Sequence, residues 1–218
     1  MRNLLILLLF GIIPAAHTAK ADSNAAGEFD YYVLSLSWSP NWCLREGDDR
    51  DSPQCEPRTV EETKLGWILH GLWPQFEEGW PQYCQTAHRP PSRADTAKMA
   101  DIMGTSGLAW HQWKKHGTCA GKPSESYFSM AREAYDSINR PEVLRKLPRS
   151  VKLPARVVEE AFLEANPQLT SDMITITCKA GQIQEARICL TKTLEPRTCG
   201  MDVLRDCTQD DALMAPLR

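Results

Sequence analysis

Alternation of apolar and polar residues predicts four β-strands in this chain. It runs through segments 32–38 (YVLSLSW), 64–73 (KLGWILHGLW), 173–178 (MITITC) and 186–192 (ARICLTK). In the first segment the large apolar side chains fall on every second position, which is the pattern of a half-buried strand. In the second, the alternation puts Ile68, His70 and Leu72 on one face and Leu65, Trp67 and Leu69 on the other.

Three other segments have apolar residues three and four positions apart, which predicts helices. One begins near Ser124 or Ser126 and buries Tyr127, Phe128, Ala131, Tyr135 and Ile138. A second covers 155–165 (ARVVEEAFLEA) and stops before Asn166, because Pro167 follows it. A third covers 107–116 (GLAWHQWKKH), with Gly117 as its C-terminal cap. Helical segments between the second and third strands predict an α+β domain.

Residues 1–21 have the composition of a cleavable signal peptide. Arg2 precedes an apolar stretch from Leu4 to Ile13, and small residues follow it. The mature chain is then 22–218, a length that suits a single domain. We therefore expect a secreted or periplasmic protein. No later segment has the roughly 18 consecutive apolar residues of a membrane helix, so no membrane association is expected.

The charge balance limits how a polyanion could bind. The chain has 25 Lys and Arg against 28 Asp and Glu, and loss of Arg2 and Lys20 with the signal leaves 23 against 28, a net charge of −5. An acidic protein does not attract nucleic acid over its whole surface. Any nucleic-acid binding is therefore expected to be local.

All eight cysteines follow the signal, and an even number in an exported chain predicts four disulfides. Spacing alone cannot select one of the many possible connectivities. Zinc binding by His111, His116 and Cys119 is the rival interpretation, but their spacing matches no common zinc site.

The third predicted helix gathers its titratable residues on one face. On a helical wheel, His111, Gln112, Lys115 and His116 lie within an arc of about 140°, while the tryptophans lie elsewhere. Such a face is either a solvated basic helix edge or part of an active site. His70, on the second strand, is a third candidate histidine.

Two histidines on separate elements, with a lysine beside one, suit acid–base chemistry on a phosphodiester. RNA carries its own nucleophile, the ribose 2′-hydroxyl. One imidazole would remove its proton, the other would protonate the leaving 5′ oxygen, and a cation would stabilise the charged phosphorus. This reaction needs no metal or other cofactor, and DNA, which lacks the hydroxyl, cannot undergo it.

The segments WILHGLWPQ and WHQWKKHGTC resemble the two active-site motifs of the ribonuclease T2 family, secreted acid endoribonucleases. LSLSWSPNWC and the cysteine-rich end of the chain extend the resemblance over most of 22–218. It implies a single α+β domain with a central, mainly antiparallel sheet flanked by helices and stapled by disulfides. It also implies that the chain acts on single-stranded RNA through a 2′,3′-cyclic phosphate, and we expect a monomer.

The resemblance assigns roles to six residues. His70 and His116 form the acid–base pair, with His116 as base and His70 as acid, an order that the sequence leaves open. Lys115 stabilises the transition state and His111 holds phosphate. Trp73 is either a platform for base stacking or a core residue.

Gln112 stands where members of the family usually carry glutamate. Glutamine keeps the size and hydrogen-bonding reach of glutamate but loses its charge. We therefore expect a working enzyme whose acid–base pair titrates lower than in relatives with glutamate, although a helix C-terminus favours the cation. The alternative that Gln112 leaves open is a catalytically weakened RNA-binding or toxin-like protein on the same fold. A metal-dependent phosphoesterase would need carboxylates, and the motif segments offer only Glu77 and Glu78.

The resemblance also implies a disulfide pairing. The pairs are Cys43 with Cys55, Cys84 with Cys119, Cys178 with Cys207, and Cys189 with Cys199. The second pair would tie the loop after the first motif to the end of the catalytic helix.

Overall fold

The computed structural model describes residues 25–48, 51–57 and 65–218. The predicted signal peptide, 1–21, lies outside these residues. The strands are β1 Tyr31–Trp38, β2 Trp67–Gln75, β3 Val151–Leu153, β4 Ile174–Lys179, β5 Gln182–Leu190 and β6 Ala212–Met214. The helices are α1 Ser39–Trp42, α2 Arg93–Ala97, α3 Ala100–Met103, α4 Ser106–Lys115, α5 Ser124–Ser137, α6 Glu142–Arg145 and α7 Ala155–Ala165.

These strands form one sheet, in which β1 lies between β2 and β5. β5 also pairs with β4, and β6 joins β5 to β3. All pairs are antiparallel except β5 with β6, which are parallel and meet at a single residue pair. The predicted α+β domain with a mainly antiparallel sheet is confirmed.

The four predicted strands correspond to β1, β2, β4 and β5, and the three predicted helices to α4, α5 and α7. α5 begins at Ser124, and α7 ends at Ala165, as expected from Pro167. The sequence analysis missed β3 and β6, which have three residues each and are too short to show periodicity. It also missed the four- and five-residue helices α1, α2, α3 and α6.

The prediction of a half-buried first strand is wrong, because β1 is covered on both faces. Leu34 and Leu36 pack in the main core with the helices. On the opposite face Val33 packs in a second cluster beneath Val203 and the Cys189–Cys199 disulfide. A central strand loses its solvent face when the C-terminal loop folds back over the sheet, and side-chain alternation does not reveal that loop.

A β-bulge in β2 changes the face on which His70 lies relative to its neighbours. Leu69 pairs with Leu36 and Gly71 with Ser35, so His70 is the extra residue. Leu72 consequently points into the main core with Leu69, and the predicted grouping of Leu72 with His70 is wrong. The bulge instead puts His70 on the same face as Trp73, three residues along, with ring centroids 5.3 Å apart.

A second bulge lies in β5, on the other side of β1. Thr177 of β4 pairs with Glu185 and Cys178 pairs with Ile183, so Gln184 has no partner in β4. Ile183 is in the main core, whereas Gln184 and Glu185 both line the cleft described below.

The helices cover the core face of the sheet. Tyr127 of α5 is buried and donates its hydroxyl to the carbonyl of Leu72, and Tyr135 donates to the carbonyl of Trp67. Because these bonds reach the backbone of β2, they hold α5 across the strand that carries His70.

Gly117 does not cap α4, contrary to the sequence analysis. The C-cap is His116, and the chain continues into a 3-10 turn, Gly117–Ala120, which ends at left-handed Gly121 (φ 66°). Gly117 is required for packing instead, since a Cβ atom there would lie 2.5 Å from Trp113 and 2.9 Å from Tyr127.

The structure forms all four disulfides implied by the family resemblance. Cys84–Cys119 ties the loop after β2 to the turn after α4, and closing a loop of this length stabilises a fold by roughly 3 to 4 kcal/mol in the chain-entropy model. Among the described residues, no helix combines the length and the apolar character that a membrane crossing would need.

Candidate active site

The site lies on the face of the sheet opposite the main core. His70 projects from β2 and Glu185 from β5, two strands separated by β1 and therefore about 9.6 Å apart at two strand spacings. The residues of β1 between them are small: Ser35 pairs with Gly71 and Arg187, and Ser37 pairs with Glu185. Small serines leave room for two longer side chains to meet above the central strand.

His70 meets a buried carboxylate. Nδ1 of His70 lies 2.5 Å from Oε1 of Glu185, which is only 1 % exposed. Arg187 donates to the other carboxylate oxygen from Nε (2.9 Å) and Nη2 (2.7 Å). Burial alone would raise the pKa of Glu185, but the hydrogen bond and charge of His70, together with Arg187, outweigh burial and lower this pKa to about 2. Glu185 is therefore ionised at physiological pH and accepts the Nδ1–H of His70.

Helix α4 brings the second motif against β2. Thr105 caps the helix by accepting a hydrogen bond from the backbone N–H of Leu108. Further along, Oε1 of Gln112 accepts a hydrogen bond from Nε1 of Trp73 at 2.8 Å. A Cβ atom at Gly71 would lie 2.3 Å from Oε1 of Gln112, so the glycine allows this close approach of helix and strand.

His116 is buried at the end of α4, and its ring stacks on Trp73 with centroids 5.2 Å apart. Its Nδ1 is buried with no hydrogen-bond partner among the described residues. Burial, followed by the charges of Lys115 and the neighbouring histidines, lowers the pKa of His116 from 6.5 to about 3. Burial therefore outweighs the helix C-terminus, which would favour the cation.

The other predicted site residues lie in the same cleft. The cleft has a volume of about 380 Å³, and all six predicted residues line it: His70, Trp73, His111, Gln112, Lys115 and His116. Within it His111 is the exposed member, and Lys115 is half-buried. Burial and the charge of Lys115 lower the pKa of His111.

Trp73 lies between the two histidines. Its ring centroid is 5.3 Å from that of His70 and 5.2 Å from that of His116, so the two imidazole centroids are no more than 10.5 Å apart. The guanidinium of Arg187 lies 5.4 Å from the same ring. Trp73 is half-buried and contacts His70, Gln112, His116 and Arg187, so its ring lies between the two histidines.

Several residues of the cleft were not predicted from the sequence. Glu185 and Arg187 gave no signal, because 115 residues separate Glu185 from His70. Trp80 is 56 % exposed at the cleft and belongs to the loop after the first motif, where its position next to HGLWPQ could have identified it. Asp202 also lines the cleft and accepts hydrogen bonds from the backbone N–H of Gly79 and from the Gln75 side chain.

A second depression of about 490 Å³ adjoins the first. The two share four lining residues: His70, His111, Gln184 and Glu185. Open space therefore extends to both sides of His70.

Two of the residues considered as metal ligands, Cys119 and Glu77, have other partners. Cys119 is bonded to Cys84, which removes its thiolate from the rival zinc site. Glu77 accepts two hydrogen bonds from Arg197 at 2.8 and 3.1 Å and does not line either depression. The described residues contain no group of three or more His, Cys, Asp and Glu side chains placed to hold a metal ion.

Comparison with known proteins identifies the class. The family model of the ribonuclease T2 family matches residues 29–199. A ribonuclease of Aeromonas hydrophila is 33 % identical over 234 aligned residues that cover both chains completely. Ribonuclease I of Escherichia coli is 28 % identical over 56 % of this chain and 59 % of its own.

Solved structures share the fold. An RNase-related protein from Calystegia sepium superimposes with a TM-score of 0.61 at 21 % identity, covering 87 % of this chain and 98 % of its own. RNase NT, solved in complex with 5′-AMP, gives a TM-score of 0.59 at 18 % identity over 88 % of this chain and 100 % of its own. The chain belongs to the ribonuclease T2 family. The prediction of a ribonuclease of this family is confirmed.

Proposed function

We propose that this protein is an endoribonuclease that cleaves single-stranded RNA by metal-independent transphosphorylation. The observation that carries the proposal is the convergence of two imidazoles, His70 from β2 and His116 from α4, on one cleft around Trp73. RNA cleavage follows from membership of the family, and the mechanism is argued from the cleft.

The reaction proceeds in two steps. His116 takes the proton of the 2′-hydroxyl, the 2′ oxygen bonds to phosphorus, and the bond from phosphorus to the 5′ oxygen breaks. The leaving oxygen takes the bonding electron pair and receives the Nε2 proton of His70, which leaves a 2′,3′-cyclic phosphate and a 5′-hydroxyl end. Water then opens the ring to a 3′-phosphate, with the two histidines in exchanged roles. Lys115 and His111 face the phosphate and stabilise its developing charge.

The surroundings of the two imidazoles support the order of acid and base. The lowered pKa keeps His116 neutral at physiological pH, as a base must be at the start of the reaction. Nδ1 of His70 stays protonated against Glu185, so this ring exchanges its proton at Nε2. We therefore assign His116 as base and His70 as acid.

The shape of the cleft and its exposed aromatic residue support a polymeric substrate. The two depressions flank His70, so nucleotides on both sides of the scissile phosphate can lie against the protein. Trp80 offers a half-exposed aromatic face for a base, and such stacking is worth about 1 to 3 kcal/mol per base.

We further propose that the protein is exported to the periplasm or secreted. Four disulfides in one small domain support this location, because such bonds persist in oxidising compartments. Mass spectrometry of the native protein, isolated from periplasm, medium and cytosol, tests it. Intact reduced chain confined to the cytosol contradicts the proposal.

The function is tested with a labelled single-stranded RNA in excess chelator. We expect cleavage to 2′,3′-cyclic phosphate ends, and resistance of a substrate with a single 2′-deoxyribose at the cleaved position. His70→Ala and His116→Ala should each lose at least about 100-fold in kcat/KM, the lower range for acid–base catalysis. His88→Ala is the matched control, because His88 lies outside both depressions. Binding without cleavage would favour the weakened RNA-binding protein, and loss of activity in chelator would favour a metal-dependent enzyme.

A further inference from the structure

Glu185 is an unusual residue for the centre of a sheet. A carboxylate that is 1 % exposed carries a large desolvation cost unless it is paired and hydrogen-bonded. Its two oxygens are used separately: Oε1 contacts His70, and Oε2 accepts both bonds from Arg187. Arg187 alone could neutralise the charge, so it does not explain why the other oxygen lies against a catalytic imidazole.

We propose that Glu185 is a positioning residue for His70. It accepts the Nδ1–H of the imidazole and thereby directs the Nε2–H toward the leaving 5′ oxygen. Arg187 holds the carboxylate in place from the same strand. This inference rests on the proposed function, and it adds a second residue to the acid side of the site, supplied by a strand that neither motif contains.

Hydrogen-bond chemistry explains why a carboxylate suits this position. An ionised carboxylate only accepts, so it is compatible with Nδ1 as donor and with no other arrangement of the ring. Without an acceptor there, the imidazole can turn over about its Cβ–Cγ bond and present the wrong nitrogen to the substrate. The part played by Glu185 thus resembles that of the buried acid that orients the histidine in serine protease triads.

The remaining charged groups around His70 cannot replace Glu185. Its neighbours from the two packed elements are Arg187 on β5 and His111, Lys115 and His116 on α4. Each of these is a cation or a base that can become one. Two other carboxylates line the depressions, but Asp202 accepts from Gly79 and Gln75, and Glu46 accepts from Arg45 and Lys179. Gln112, on α4, is uncharged and already accepts from Trp73.

A substrate with a good leaving group separates positioning of the acid from a merely structural role. Cleavage of RNA needs a proton on the departing 5′ alkoxide, whereas p-nitrophenolate leaves without one. We therefore compare Glu185→Gln with wild type on a dinucleotide and on a nucleoside 3′-(p-nitrophenyl phosphate) of the same base. Glu77→Gln is the matched control, because Glu77 also forms a two-bond pair with an arginine but lies outside the cleft.

We expect Glu185→Gln to lose about 10- to 100-fold in kcat/KM on the dinucleotide, by analogy with the loss seen when the hydrogen-bond partner of a metal-ligating histidine is removed. The p-nitrophenyl substrate should lose less than about 3-fold, far below the contribution of a general acid. Glu77→Gln should match wild type on both. Equal losses on the two substrates, or no loss on either, would overturn the inference.

Long-range proton–nitrogen NMR of the imidazole provides a test independent of variant stability. In wild-type protein, the neutral form of the His70 ring should carry its proton on Nδ1. An Nε2–H tautomer would overturn the inference without any variant. If wild-type protein fails to cleave RNA, the proposed function fails instead, and the NMR result still decides the Glu185 contact.

Discussion

Replacement of Gln112 by glutamate tests the proposal that the uncharged amide leaves the pKa of His116 lower than a carboxylate would. Gln112 is 2 % exposed, and its Oε1 accepts from Trp73, an interaction that a carboxylate oxygen preserves. His116, the C-cap of α4, follows Gln112 by four residues, and its backbone N–H still donates to the carbonyl of Gln112, so the two Cβ atoms lie about 6 Å apart. Gln112→Glu thus adds a negative charge near His116 with little change in shape.

The expected size of the effect follows from the separation. Two unit charges about 6 Å apart interact by about 2.8 kcal/mol at an effective dielectric constant of about 20. At about 1.36 kcal/mol per pKa unit, this raises the pKa of His116 from about 3 to about 5. The value is an upper limit, because burial also raises the pKa of the new carboxyl and part of its charge is lost.

The assay is kcat/KM for RNA cleavage from about pH 3 to about pH 8. Protonation of His116, the proposed base, is expected to abolish activity, so the acid limb of the Gln112→Glu profile should lie at higher pH than the wild-type limb. Circular dichroism at each pH restricts the comparison to folded protein. Gln168→Glu is the control, since it makes the same charge change at an exposed position outside the cleft. Superimposable limbs would refute the argument that the residue at 112 tunes the site.

Three further predictions concern packing and acid stability. Gly71→Ala should lower the free energy of unfolding by roughly 1 to 3 kcal/mol and lower activity at least about 10-fold. The new Cβ atom would lie 2.3 Å from Oε1 of Gln112 and 2.4 Å from Nε1 of Trp73. Wild-type stability in urea unfolding would contradict this prediction. Trp73→Phe leaves the buried Oε1 of Gln112 without its hydrogen-bond donor. It should lower the free energy of unfolding, measured in urea, by about 1 to 3 kcal/mol. The free energy of unfolding should fall by about 1.4 kcal/mol per pH unit from about pH 6.5 to about pH 3, because the unfolded state takes up a proton that buried His116 refuses. Below about pH 4.5, Glu185 should add to this fall, since its folded-state pKa of about 2 lies below its ordinary value of 4.5. A free energy of unfolding that stays constant over the whole pH range would show that neither the His116 nor the Glu185 pKa is lowered.

Local patterns in the sequence were sufficient to predict the longer strands and helices and the polar face of the third predicted helix. Periodicity located β1, β2, β4, β5 and the longer helices, because each buries a repeating set of apolar side chains against one core. The helical wheel also grouped His111, Gln112, Lys115 and His116 correctly, since residues three and four apart on a helix share a face whatever packs against them. The motifs then identified the family, and with it the disulfide pairing.

Only the tertiary structure decided how His70 is held. Strict alternation puts His70 on the face of Leu72, and the bulge that reverses this depends on pairing with β1. Glu185 meets His70 because two strands far apart in sequence flank the same small serines. The low pKa of His116 likewise comes from burial under neighbouring elements. Such contacts between distant segments have no fixed spacing along the chain, so they appear only when the sheet is assembled.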